Sequence, residues 1–220
     1  MTPKLKTFAG IACLGGLATL AGCEILAVAA LNQIETTTFT VDDDLLFMSG
    51  EINSQTDTQF AEVIAANPQI TTIVQCIVPG SLDDDTMIPL SYQVRALGLN
   101  THLTAQSQIA SGGVDLFLAG VTRTLEAGAD IGVHSWSDGA REAKDYPRNS
   151  PEHVANRDYI AEMLGNDAFY WFTIFAAPAD DIYWMTPDEV TQFELITAPV
   201  ITNATGIICP DDGQDRLTLQ

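Results

Sequence analysis

A hydroxyl, an imidazole and free glycine amides are the parts of an acyl-transfer site, and this chain carries all three at the ends of apolar runs. Val78-Pro79-Gly80-Ser81 closes one run, Gln108-Ile109-Ala110-Ser111-Gly112-Gly113 the next, and Gly132-Val133-His134-Ser135-Trp136 a third. A serine is a weak nucleophile until a base takes its proton, and histidine is the usual base. Ser111 is therefore the expected nucleophile and His134 the expected base. The amides of Gly80 and Gly112 are the expected oxyanion donors, a contribution of about 3 kcal/mol each. Taken singly, each residue has a plainer reading: Ser111 as a helix N-cap, His134 as a structural hydrogen-bonding group. Their order and their shared placement at strand ends point to chemistry. Ser107, inside a strand, and Ser135, beside the base, are weaker competitors.

These residues converge only if the runs are parallel strands whose carboxyl ends share one edge. The pattern agrees. Residues 37–41 and 45–48 read as strands with a turn at Ser49-Gly50, and 54–66 as a helix stopped by Asn67-Pro68. The β-branched run 70–78 reads as one buried parallel strand. Asp83-Asp84-Asp85 opens a helix running to Leu97, where negative charge suits the dipole. A strand over 101–110, a helix from Gly112 through Leu125 and a strand over 129–133 follow. After an irregular stretch come a helix over 151–165 and the aromatic block Phe169-Tyr170-Trp171-Phe172, read as core. Repeated β-α-β units imply an α/β fold with a parallel sheet. One domain is expected over 36–210, with a tail over 211–220.

Composition narrows the chemistry. The 220 residues hold 29 acidic and nine basic side chains, a net charge of −20. A phosphate-tracking surface needs clustered Lys and Arg, so no nucleic-acid partner is expected. With 46% apolar residues, a sizeable core is available. No metal and no cofactor are expected. Asp83–Asp85 lacks calcium-loop spacing, His134 and His153 are not at a zinc interval, and no Walker-type loop is present.

Residues 1–22 carry Lys4 and Lys6 and then a short apolar run, the form of an export leader. That run is too short to span a bilayer. Leu20-Ala21-Gly22-Cys23 resembles the lipobox of bacterial lipoproteins, which implies acylation of Cys23, a tether over 23–35, and a protein held at the cell envelope. Glu24 at the next position is compatible with transfer to the outer membrane. The strong negative charge repels anionic headgroups, so the membrane is met through the lipid anchor alone. With Cys13 cleaved away, Cys76 and Cys209 remain in an oxidising compartment. There they are either bridged or two buried thiols.

The ordered set of turns resembles the Clp-protease/crotonase superfamily, and most closely an exported Clp-peptidase-like family. Gly80-Ser81 matches the turn that supplies an oxyanion donor, Ser111-Gly112-Gly113 the nucleophile turn, and His134 the base one strand later. Trp184-Met185-Thr186-Pro187-Asp188-Glu189-Val190 is similar to the segment leading to the family's last catalytic strand, and the resemblance spans roughly residues 45–198. It implies a peptide or other acyl substrate, a serine hydrolase, and a homo-oligomer of the kind such folds build. Two departures matter. Pro79 replaces the first glycine of the usual pair, leaving Gly80 as that turn's donor, and the position matching the triad acid is Thr197. Asp145, Asp181 or Glu194 are open as substitutes, as are a bare Ser–His pair and a catalytically inactive binding or assembly protein of the envelope.

Overall fold

The structure is a computed structural model that describes residues 34–211; the leader, Cys23 and residues 212–220 lie outside them. β1 (Thr37–Asp42) and β2 (Leu45–Gly50) form an antiparallel pair, so Ser49 and Gly50 continue a strand instead of turning. Gly50 is required there: with φ at +92°, any Cβ would lie 2.1 Å from the Thr36 carbonyl. Helix α1 (Thr56–Ala66) follows.

The run over 70–78 is two strands, not one. β3 (Thr72–Gln75) and β4 (Ile77–Val78) belong to different sheets and meet at Cys76. Its N–H donates to the Met48 carbonyl at 2.8 Å, and its carbonyl accepts from the Gln108 N–H at 2.7 Å, so this residue is stitched into both sheets. After helix α2 (Asp84–Ala96) the run over 101–110 divides the same way, into β5 (Asn100–Leu103) and β6 (Gln108–Ala110). Ser107, expected within the strand, instead makes the step. Its Oγ accepts from the Thr104 N–H at 2.9 Å and donates to the Gln75 carbonyl at 2.6 Å. Hydroxyl-to-backbone bonds of this kind compete with a strand ladder.

Helix α3 is short, Gly112–Leu118, and Leu125 falls instead on strand β7 (Arg123–Leu125). Gly120 makes the turn between them, where a Cβ would sit 2.2 Å from Thr101 Oγ1. β8 (Asp130–Val133), α4 (Val154–Leu164), α5 (Ala168–Ala176), β9 (Tyr183–Trp184) and α6 (Pro187–Gln192) complete the order. One sheet runs β1-β2-β3-β5-β7 and the other β4-β6-β8-β9. All pairings are parallel except β1 with β2 and β8 with β9. Each of the two coils through β3–β4 and β5–β6 therefore gives one strand to each sheet and then a helix.

α3 is the centre of the core. Val114, Leu116, Phe117 and Leu118 are all buried, each stabilising the fold by about 1.5–3 kcal/mol. A smaller apolar cluster forms on Phe47, Val74 and Cys76, against Ile207 and Cys209. There Cys76 and Cys209 are bridged by a disulfide, with Cα atoms 5.8 Å apart. This bridge and the Thr205–Glu126 hydrogen bonds hold the segment after residue 200 against the body.

Candidate active site

Register brings the three strand ends together. Val78 pairs with Ile109 and Ala110 with Gly132, so the residues that follow, Gly80, Ser111 and His134, emerge along one edge of the second sheet. The Ser111 N–H is held by the Gly132 carbonyl at 3.1 Å. Ser111 itself has φ +51° and ψ −127°, a backbone state that costs a non-glycine residue about 1–3 kcal/mol. It does not act as a side-chain N-cap for α3. Its Oγ makes no hydrogen bond among the described residues, so the strain presents an unengaged hydroxyl to the cleft.

The glycines permit the close approach of the two turns. A Cβ on Gly80, whose φ is +152°, would lie 3.2 Å from the Ser111 Cβ. On Gly112 it would lie 2.5 Å from Ser81 Oγ, and on Gly113 2.7 Å from the Val78 carbonyl. The amides of Gly80 and Gly112 donate no hydrogen bond within the described residues. Both flank Ser111, and Gly112 begins a helix whose first N–H groups lack intrahelical partners.

His134 has a defined tautomer. Its Nδ1 lies 2.8 Å from the Ser135 carbonyl. A carbonyl only accepts, so Nδ1 carries the proton and Nε2 keeps a free lone pair, the state a general base requires. The Ser135 carbonyl thus orients the ring as a carboxylate does in a triad, without the negative charge that stabilises an imidazolium. Thr197, at the position matching the acid, is exposed and tied to β7, with its N–H and Oγ1 both bonded to the Arg123 carbonyl. Asp145 belongs to a capping box with Glu142, Asp181 accepts from the Ile182 N–H, and neither they nor Glu194 hydrogen-bonds to His134. Ser135 is buried, its Oγ turned to the Trp136 carbonyl. Ser111 and His134 line the same clefts without a hydrogen bond between their side chains. In unliganded enzymes such contacts are commonly long and tighten on binding.

Two clefts meet at Ser111 and His134. The inner one, about 60 Å³, runs between Val114, Val133, Ile160, Phe169 and Tyr170, with Asp84 and Asp115 in its wall. The aromatic block is thus core and pocket wall at once: Phe169 and Tyr170 are buried, and Tyr170 still faces the cleft. Tyr170 is fixed from behind, accepting from Trp136 Nε1 at 3.0 Å and donating to His153 Nδ1 at 2.6 Å. The outer groove is more open and is edged by Asp83, Asp84 and Asp85. Among the described residues no three His, Cys, Asp or Glu side chains gather as a metal site would need.

Asp115 and the Ser135 carbonyl escaped the reading of the sequence. Asp115 lies four residues after Ser111 on α3, hence on the same helical face, and that spacing was visible. A backbone carbonyl leaves no signal in residue types. Burial, with the like charge of Asp84 as a smaller second cause, pushes the Asp115 carboxyl from 3.8 up to about 8.

No protein-family model matches the chain, and no curated protein matches it. Solved structures do. A mutant of 1510-N, a membrane-bound stomatin-specific protease, in complex with a substrate peptide, aligns with a TM-score of 0.50 and 19% identity over 71% of this chain and 73% of that one. A second mutant of that protease gives 0.50 and 17% identity, over 74% and 81%. A putative enoyl-CoA hydratase/isomerase (crotonase) from Legionella pneumophila gives 0.49 and 11%, over 76% and 71%. At these identities the likeness is one of fold: an α/β chain of mostly parallel sheets, of Clp/crotonase-like type.

Proposed function

We propose that the protein is a serine hydrolase that transfers acyl groups from peptides or related substrates through a Ser–His pair. Ser111 Oγ attacks the carbonyl carbon while His134 Nε2 takes its proton. The tetrahedral oxyanion is received by the Gly80 and Gly112 amides. Collapse expels the amine, protonated by the imidazolium, and leaves an acyl-Ser111. Water, deprotonated by His134, then releases the acid and restores the serine. The observation that carries this reading is the strained, unbonded Ser111 lining the same clefts as an imidazole whose Nδ1 is fixed on the Ser135 carbonyl. The peptide preference is supported by the fold shared with a protease seen in complex with a substrate peptide. The lipobox-like Cys23 supports lipid anchoring at the envelope.

The test is labelling with a fluorophosphonate, which reacts with activated serines. Wild-type protein should be labelled at Ser111, with loss in Ser111→Ala and a fall of about 100-fold or more in His134→Ala. A folded wild-type protein that resists the reagent refutes the hydrolase reading. The lack of a carboxylate on His134 among the described residues favours one rival, a binding or assembly module of the envelope that kept the fold, and that outcome would support it.

A further inference from the structure

The inner cleft holds a feature that acyl transfer does not use. Asp115 lies one helical turn beyond Ser111, its N–H on the Ser111 carbonyl at 3.3 Å, in a wall it shares with Val114, Ile160 and Phe169 and with the polar Asn156 and Thr173. Its carboxylate accepts no hydrogen bond and meets no cation among the described residues. The charge that acts on it is that of Asp84, of the same sign. Among the described residues, the side-chain hydrogen bond that reaches Asp115 comes from Tyr159, whose hydroxyl donates to the backbone carbonyl at 2.6 Å and leaves the carboxyl unserved. Asp115 is half-buried, and with no protein donor on its carboxylate those oxygens are left to whatever occupies the cleft. Asp84 adds a second carboxylate to the same cavity while accepting from Ser81 Oγ at 2.8 Å.

We propose that this cleft is a specificity pocket for a basic side chain, of lysine or arginine type, on the substrate residue whose carbonyl Ser111 attacks. The inference rests on the hydrolase reading for its chemistry and on the cavity itself for its recognition. Val114, Ile160 and Phe169 suit the methylene stem of such a side chain, and Asp115 with Asp84 receives its charged end. The surroundings favour the same substrate. The outer groove is edged by three aspartates, and a net charge of −20 draws cationic peptides toward the cleft.

Binding and reaction are read separately. Full-chain Ser111→Ala protein, which retains the cavity, is titrated with two fluorescent peptides that differ only in lysine against norleucine, its uncharged near-isostere. We expect the lysine peptide to bind at least 10-fold more tightly at pH 8 in 150 mM salt. Adding Asp115→Asn should return the ratio to near one. Equal affinities in the Ser111→Ala protein overturn the proposal. So does a lysine preference that survives Asp115→Asn, since the outer aspartates then hold the cation. Fluorophosphonate labelling of the wild type judges the hydrolase reading on its own: an unlabelled protein with an Asp115-dependent preference keeps the pocket and loses the enzyme. A labelled protein without the preference does the reverse.

Discussion

Replacing Asp115 by asparagine should stabilise this protein, and by an amount that depends on pH. The carboxyl stands at about 8 in the folded chain against an ordinary 3.8. Below pH 4 both states hold the proton and the group contributes no difference. As pH rises above 3.8 the unfolded chain ionises while the folded one stays protonated, so stability falls by about 1.4 kcal/mol per pH unit. The loss levels off near pH 8, where the folded group ionises too. The full span corresponds to about 6 kcal/mol as a ceiling. Water entering the cleft reduces this, so about 2–3 kcal/mol at pH 7 is the expected gain for Asp115→Asn. Asparagine keeps the shape and removes the charge. Urea unfolding of both proteins at unit pH steps from 4 to 8 measures it, since every other titrating group cancels in the difference. The two stabilities should coincide near pH 4 and diverge steadily to pH 8. Curves that run parallel over that range would show that Asp115 is well solvated or paired, and the burial reasoning would be wrong.

Other perturbations test the frame around the site. Gly80→Ala places a methyl 3.2 Å from the Ser111 Cβ at a φ of +152°, so fluorophosphonate labelling should fall by about 100-fold while circular dichroism is preserved. Arg123 donates from its guanidinium to the carbonyls of Gly120, Glu194 and Leu195, and Arg123→Ala should cost about 3 kcal/mol in urea unfolding by leaving buried acceptors unserved. An unchanged midpoint would place those carbonyls in water. The Cys76–Cys209 bridge joins residues 133 apart, and replacing both with serine should lower stability by about 2–4 kcal/mol, with reductant doing the same to the wild type alone.

What the sequence disclosed and what it withheld follow from how each feature is encoded. The shared placement at strand ends was legible because Gly80, Ser111 and His134 each sit where an apolar run meets a small or polar residue, and parallel pairing then sets those ends along one edge. The division of the runs 70–78 and 101–110 was not legible. A residue such as Cys76 that bonds to Met48 on one sheet and Gln108 on the other looks, in sequence, like any β residue. β7 was hidden for a different reason: three residues are too few to show a period of two, and Leu125 continues the helical spacing of α3 by coincidence. Thr197 marks the sharpest limit. A missing acid left open a substitute carboxylate, a bare Ser–His pair or an inactive site, because residue types are all that a sequence exposes. A backbone carbonyl that fixes His134 Nδ1 is compatible with the bare pair and adds an orienting group that residue types do not reveal. Its consequence is physical. On the proposed hydrolase reading, the tautomer is set as in a triad while the imidazolium would find no counter-charge among the described residues, so attack by Ser111 would lean harder on the Gly80 and Gly112 amides than in a full triad.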